Sequence, residues 1–297
     1  MTPSSHITRL MSRDGSARLL VIESTALVQR AQQIHSTSKT RTAVLGRALT
    51  GCSLMGSLLK DADHTLTLQF KGGGPAGTVC CVSDYAGNVR GYADHPEIEL
   101  PPNAIGKLDV GGAVGRDGVM QVIKDLGMSA QPYSGMSPLH SGEIADDITE
   151  YFARSEQTPT VCALGVRCGT DKRCIAAGGF LLQLLPFADE GTVDRLEKNV
   201  SGITSVSSIV GRPDSAKVLI DLVFDGIEYD LFDEIPIEYR CSCSRSRYRS
   251  ALRSLGREEL TDMIAQGEDV ECVCRFCGER YCFSTDELKE WLAEREA

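Results

Sequence analysis

Apolar and polar positions alternate along several short segments in the first two thirds of the chain. Residues 7–10 and 18–22 flank the turn Arg13-Asp14-Gly15-Ser16, which predicts an opening hairpin. The alternation returns in three further segments, at residues 65–70, 77–83 and 89–92. Turns rich in glycine separate these segments, so the pattern predicts a β-meander.

Other segments have the longer period of helices. Residues 24–60 are rich in Ala and Leu, and Gly46, Gly51 and Gly56 recur every five residues, which indicates close helix packing or a break. A second helix is predicted at 143–153. Further strands are predicted at 119–124, 161–166 and 174–185, with a loop at 94–117.

These elements predict an α+β protein in three parts. Residues 1–186 form an N-terminal α/β core domain that contains the β-meander and the helices. Residues 187–238 form a helical linker, in which 189–203 is an amphipathic helix. Residues 239–297 form a small C-terminal module.

The module contains two close pairs of cysteines. Cys241 and Cys243 are separated by thirty residues from Cys274 and Cys277, and Gly278 follows the second pair. Two such pairs are what a tetrahedral all-thiolate zinc site needs, because each pair supplies two thiolates to one metal ion. Buried structural cysteine is the alternative, and four cysteines at this spacing argue against it.

The rest of the module predicts a small domain around this site. One helical face carries Tyr248, Leu252 and Leu255, and a second carries Leu260, Met263 and Ile264. A strand at 270–274 and a return strand with Tyr281 and Phe283 follow. Ser284 and Glu287 predict a capping box, which opens a last helix with Leu288, Trp291 and Leu292 facing inward.

A module of this size is only marginally stable without a disulfide or a structural metal ion. Structural zinc contributes on the order of 10–16 kcal/mol in small finger peptides, and that free energy is also folding free energy. Oxidation of the thiolates removes the ligands, so the site is a candidate redox switch. An inert structural zinc ribbon remains the alternative.

The composition limits the classes of function and the cellular compartment that fit this chain. The formal charge is −10 and the pI is about 5.1, which argues against broad nucleic-acid binding. We expect no signal peptide and no membrane span, and hence a reducing cytoplasm, where the twelve cysteines are thiols or metal ligands. Six cysteines are expected to be small buried hydrophobes: Cys52, Cys80, Cys81, Cys162, Cys168 and Cys174.

With these residues in view, the chain resembles the 33 kDa heat-shock protein family of redox-regulated chaperones. The module carries Cys241-Ser242-Cys243-Ser244-Arg245 and Cys274-Arg275-Phe276-Cys277. The core matches at Ile123-Lys124-Asp125-Leu126-Gly127, at Pro132-Tyr133-Ser134-Gly135 and at Ala177-Gly178-Gly179-Phe180. The resemblance covers nearly the whole chain.

The resemblance implies a cytoplasmic stress-response holdase that uses no ATP and is not an enzyme. It implies one zinc ion in an inactive reduced form, held by Cys241, Cys243, Cys274 and Cys277. It implies that oxidation forms the disulfides Cys241–Cys243 and Cys274–Cys277 and releases zinc. The linker then unfolds and binds unfolding client proteins, and the active forms tend to form homodimers.

One departure and two competing functions stay open. Cys272 and Cys282 stand where the family pattern has other residues, so ligand exchange or another disulfide partner remains to be tested.

Six arginines near the first cysteine pair raise the alternative of a zinc ribbon that binds RNA or ribosomes. Charge balance for the four thiolates of the zinc site is the simpler explanation of these arginines. His95-Pro96-Glu97 fits part of a deaminase motif, but Val273 replaces the proline that should precede the CxxC.

Overall fold

The computed structural model describes residues 5–127 and 131–294 and separates into two compact units, Met1–Arg240 and Cys241–Ala297. Strands of the first unit are β1 His6–Ser12, β2 Ala17–Glu23, β3 Thr65–Lys71, β4 Val79–Asp84, β5 Val89–Ala93, β6 Val119–Asp125, β7 Tyr133–Pro138, β8 Thr160–Cys168, β9 Cys174–Leu184 and β10 Tyr229–Pro236. Its helices are α1 Thr25–His35, α2 Lys39–Gly56, α3 Val110–Val114, α4 Ala145–Arg154, α5 Glu190–Ser201 and α6 Ser215–Val223. No helix in the described ranges has the length and apolar character to cross a membrane.

The first unit contains two five-stranded antiparallel sheets. One has the order β10-β1-β2-β9-β8, and the other has the order β5-β4-β3-β6-β7. The predicted opening hairpin and the β-meander are confirmed. Strand β7 was not predicted, and the predicted loop 94–117 contains the short helix α3.

Helix α2 lies in the main apolar core with residues from both sheets. The predicted helical stretch 24–60 is two helices, because Ser36 adopts a left-handed conformation (φ 48°) and Ser38 caps α2 by accepting a hydrogen bond from the Arg41 amide. The predicted close packing of its glycines is confirmed. A Cβ at Gly51 would lie 2.5 Å from Ile148, which is shorter than any ordinary contact.

Residues 187–238 cover the opposite face of the first sheet. Helices α5 and α6 pack there, and the predicted helix 189–203 is confirmed. This second apolar cluster consists of Leu10, Ala17, Leu19, Val21, Ala176, Phe180, Leu182, Leu196, Val206, Val210, Leu219, Ile220, Val223 and Phe224. The description of this segment as helical is incomplete, because its last part, β10, joins the sheet beside β1. The division into core, linker and module stays a prediction.

The second unit is a hairpin with three helices. Strands β11 Val270–Val273 and β12 Arg280–Phe283 pair antiparallel, and the helices are α7 Arg245–Arg253, α8 Arg257–Gln266 and α9 Thr285–Glu294. The predicted capping box is confirmed, since Ser284 and Glu287 exchange backbone-to-side-chain hydrogen bonds of 3.1 and 3.2 Å. The buried apolar residues in this unit's core cluster are Leu252, Leu260, Phe283, Leu288 and Trp291.

Candidate metal centre

Four cysteine sulfurs converge in the second unit. The ligand atoms of Cys241, Cys243, Cys274 and Cys277 all lie within 4.8 Å of one another. The Sγ atoms of Cys241 and Cys274 are 3.8 Å apart, and those of Cys243 and Cys277 are 3.3 Å apart. The fold therefore brings together two cysteine pairs that are far apart in sequence.

Local backbone structure positions each pair. Cys241 and Cys243 lie in the irregular segment before α7, whose N-cap Ser244 accepts a 3.3 Å hydrogen bond from the Arg247 amide. The second pair lies in a tight knuckle between β11 and β12. The amides of Cys274 and Gly278 donate 2.8 Å bonds to the carbonyls of Glu279 and Cys274, respectively. Gly278 has a φ of +75°, which only glycine adopts at little cost.

Two tyrosines border the sulfurs, although the sequence pattern indicated only a helical face for Tyr248 and a return strand for Tyr281. The Tyr281 hydroxyl lies 3.2 Å from Cys243 Sγ, and its ring packs against that of Tyr248, with centroids 5.0 Å apart. Burial acts to raise the pKa of Cys274, but the amides of Cys277 and Phe276 and the Tyr248 hydroxyl outweigh it. The net effect lowers the pKa of Cys274 to about 7, so this sulfur is poised to be a thiolate.

The donor set fits a tetrahedral thiolate-bound metal ion. A zinc–sulfur bond of about 2.3 Å in tetrahedral geometry places neighbouring sulfurs about 3.8 Å apart, close to the observed spacings. Thiolate sulfur is a soft ligand that favours zinc, Cu(I) or iron–sulfur clusters over magnesium or calcium. The four cysteines thus form a candidate metal site.

The two extra cysteines of the module stand apart from this cluster. Cys272 pairs with Tyr281 on the hairpin and packs, half-buried, against the apolar core of the unit. Cys282 pairs with Glu271 on the opposite face, where it is exposed. Because neighbouring strand residues point to opposite faces, the hairpin register separates Cys272 from Cys282.

Histidine contributes to no comparable group in the part of the chain that the structure describes. Among the described residues, the four cysteines form the one cluster in which three or more metal-binding side chains come together. His95 and Glu97 lie in the first unit, outside this cluster. The geometry therefore gives the deaminase alternative no support.

Several arginines near the first cysteine pair have carboxylate partners. Arg245 forms an ion pair of 2.8 Å with Glu287 and lies 4.5 Å from the centroid of the Phe283 ring. Arg253 pairs with Glu294 at 2.5 Å. These arginines therefore brace α7 against the rest of the unit, which weakens the alternative of an RNA-binding surface.

Known proteins resemble the chain over nearly its full length. The family model described as "Hsp33 protein" matches residues 5–284. The "33 kDa chaperonin" of Clostridioides difficile (strain 630) is 42% identical over 289 residues, covering 97% of this chain and 99% of the relative. The protein of the same name from Agathobacter rectalis is 40% identical over 287 residues, covering 97% and 99%.

A solved structure agrees with this resemblance. The crystal structure of the 33 kDa chaperonin (Heat shock protein 33 homolog) from Thermotoga maritima superposes with a TM-score of 0.89 at 35% sequence identity. It covers 99% of both chains. The similarity thus extends over both the core unit and the cysteine module.

Proposed function

The chain belongs to the Hsp33 family of chaperones, and from that premise we propose that it is an ATP-independent holdase controlled by oxidation of its cysteine module. In this proposal the reduced module binds one zinc ion through Cys241, Cys243, Cys274 and Cys277 and keeps the protein inactive. Oxidation then activates binding of unfolding client proteins in the cytoplasm.

The observation that carries the proposal is the convergence of four sulfurs in a unit with a small apolar core. All four lie within 4.8 Å of one another, and the core cluster has only five buried apolar residues among those described. When bound, zinc holds the sulfurs as thiolates and supplies folding free energy on the order of 10 kcal/mol. Loss of the four thiolates is therefore expected to unfold the unit.

Oxidation removes the thiolates two at a time. In the proposed pairing, Cys241 joins Cys243 and Cys274 joins Cys277. Each pair gives two electrons to a peroxide, which takes two protons from water and leaves as two water molecules. Sulfurs of different pairs also lie close together, Cys241 with Cys274 and Cys243 with Cys277, so the pairing itself must be tested.

The second part of the proposal concerns residues 187–238. We propose that this segment leaves the first sheet after the module unfolds, exposing apolar surface to clients. In its support, α5 contributes Leu196 as its buried residue, and β10 is an edge strand with Leu231 and Phe232 mostly exposed. Release would uncover the apolar side chains of β1, β2 and β9 that now face α5 and α6. Two released molecules could then form the homodimer that the family resemblance implies.

A peroxide titration tests the proposal. The zinc-loaded protein is treated with hydrogen peroxide at elevated temperature without ATP. Zinc release is followed with a coloured chelator, and aggregation of a heat-unfolded enzyme by light scattering. We expect zinc release and suppression of aggregation to rise together.

Matched variants separate the site from its neighbours. Cys282→Ser removes an exposed thiol outside the cluster and should behave like the wild type, whereas Cys274→Ser should lose tight zinc binding. Loss of tight zinc in Cys272→Ser would overturn the four-ligand assignment. Zinc release with no gain in aggregation suppression would overturn the chaperone switch, and tight RNA binding by the reduced protein would favour the zinc-ribbon alternative.

A further inference from the structure

Cys168 and Cys174 face each other at the closed end of the β8–β9 hairpin in the first unit. They are direct partners in the strand register. The Gly169 amide donates a 2.8 Å hydrogen bond to the Arg173 carbonyl, so the cysteines occupy the next, non-hydrogen-bonded position of the ladder. Residues at such positions have Cα atoms about 4.5 Å apart. A disulfide spans Cα distances of about 4.4–6.8 Å.

A β-bulge places both thiols on one face of the sheet. The register shifts between Arg167 and Cys168, which leaves Ile175 without a partner on β8 and 47% exposed. Cys174 therefore takes the inward position that Ile175 would otherwise hold, and it joins the main apolar core. The Cys168 thiol lies on the same side, 3.8 Å from the Lys39 carbonyl of α2.

Two glutamines of α1 hold the end of this hairpin. The Gln29 side chain donates a 2.8 Å hydrogen bond to the Cys174 carbonyl, and the Gln32 side chain accepts one of 2.8 Å from the Cys174 amide. Gln32 also donates a 2.7 Å bond to the Lys172 carbonyl. The backbone that would carry a crosslink is thus already fixed, so closing it orders little additional chain.

We propose that Cys168 and Cys174 form a second redox site, a dithiol in the first unit that a peroxide oxidises to a disulfide. The half-buried Cys168 sulfur attacks the peroxide oxygen and becomes a sulfenic acid, releasing the first water molecule. The Cys174 sulfur then displaces the hydroxyl as a second water. Two thiols and one hydrogen peroxide thus give one disulfide and two waters, with two electrons passing from sulfur to oxygen.

The surroundings make this site slow to react. Burial raises the pKa of the Cys168 thiol to about 11. The negative charges of Glu99 and Asp171 act in the same direction, and the positive charge of Lys39 acts in the opposite one. Burial also raises the pKa of Cys174, to about 12. Since the thiolate is the reactive form, we expect the disulfide to accumulate only under strong or prolonged oxidation. The site goes beyond the proposed function, because it needs neither the metal nor the second unit.

The sequence allows a direct test on the full-length protein. Trypsin cleaves after Arg167, Lys172 and Arg173, so Cys168 and Cys174 fall in separate peptides that only a disulfide can join. The zinc-loaded protein is treated with increasing hydrogen peroxide, its free thiols are alkylated under denaturing conditions, and the digest is analysed by mass spectrometry. We expect peptide 168–172 linked to the peptide that begins at Cys174, in amounts that grow with dose and vanish on reduction.

Zinc release is measured on the same samples, because it reports the switch in the module whereas the linked peptide reports the Cys168–Cys174 site. Cys168→Ser should abolish the linked species and leave Cys174 alkylated, while the exposed-thiol control Cys282→Ser should retain it. If Cys168 and Cys174 are both still recovered as free, alkylated thiols after oxidation that is much stronger and longer than complete oxidation of the module cysteines requires, the proposal is wrong. A disulfide between Cys168 and any cysteine other than Cys174 would also overturn the proposal. Both of these outcomes can be measured on the wild-type protein alone.

Discussion

The two units of this protein have different sources of stability. The first unit has an extensive apolar core in which α2 is buried along almost its whole length. The second unit has a core cluster of five buried apolar residues, beside which four sulfurs converge. Apolar burial of a methylene group contributes about 0.8 kcal/mol, so few side chains cannot offset the chain entropy of a whole module.

This difference decides which unit can serve as a switch. A unit held by many buried side chains loses stability in small steps, whereas a unit held by one metal site can lose most of it in one chemical event. The same contrast exists within the first unit, where the second apolar cluster is much smaller than the main core. Stability is therefore graded along the chain, with the main core at its upper end.

Metal removal should have the largest effect and should distinguish the two units most clearly. The sequence has a single tryptophan, Trp291, which is 5% exposed and packs edge-on against Phe283 in the second unit. We expect a strong chelator to shift its fluorescence to the red, since about 10 kcal/mol of folding free energy is lost. The circular dichroism signal that comes from the main core of the first unit should persist. A Trp291 spectrum unchanged after complete chelation would show that the module folds without metal.

The second largest effect should come from the main core. Phe70 is fully buried on β3, so Phe70→Ala should lower the free energy of unfolding of the first unit by about 4 kcal/mol. Urea unfolding followed by circular dichroism measures this. The Trp291 signal of the zinc-loaded variant should not change at low urea. A simultaneous shift of both signals would contradict this prediction, because the main core and the module would then unfold together.

A smaller effect is expected in the layer formed by residues 187–238. Leu219 on α6 is 1% exposed, and Leu219→Ala should destabilise this layer by about 3 kcal/mol. Leu222 on the same helix is 41% exposed, which makes Leu222→Ala a matched control with little effect. Hydrogen exchange should quicken in α5, α6 and β10 of Leu219→Ala while α2 stays protected. Equal quickening in α2 would mean that the layer and the main core unfold together.

The smallest effect should be a pH dependence of the first unit. Burial acts to raise the pKa of Glu156. The Lys124 ammonium and the Tyr151 hydroxyl, which donate hydrogen bonds of 2.7 and 2.6 Å to the Glu156 carboxylate, outweigh burial and lower this pKa. Because the folded pKa lies below the unfolded value of about 4.3, the stabilisation is complete above that value and disappears as the pH falls through the folded pKa.

The variant Glu156→Gln measures this stabilisation. It should lower the free energy of unfolding by about 2 kcal/mol at neutral pH, and its difference from the wild type should shrink as the pH falls. Glu228→Gln is the control, because Glu228 pairs with Arg13 at the exposed surface. A difference that does not change between pH 7 and acidic pH would contradict the assigned ion pair.

The sequence predicted elements whose pattern reflects local structure. The β-meander, the module helices and the capping box were all found where periodicity and turn residues placed them. The burial of five of the six core cysteines is also confirmed, whereas Cys168 is only half-buried. Its exposure follows from its position at the end of a strand beside a bulge, which no local pattern indicates.

The elements that were missed depend on distant partners. Strand β10 carries exposed Leu231 and Phe232 together with acidic residues, so it has no strand-like alternation. It forms because its backbone pairs with β1, more than two hundred residues away, and because Asp233 binds Arg9. Likewise, the contact of Tyr281 with Cys243 depends on the folded hairpin, and its spacing in sequence could not predict it.

The position of β1 between β2 and β10 has a consequence for synthesis of the chain. Strand β1 ends at Ser12 and its outer partner begins at Tyr229, so the ribosome makes over two hundred residues before that edge can be covered. At roughly 5–20 residues per second, the nascent edge stays open for about 10–40 s. Charged side chains discourage pairing between open strand edges. We therefore expect that Arg9 and Arg13, which later bind Asp233 and Asp230, also discourage aggregation of the newly made chain.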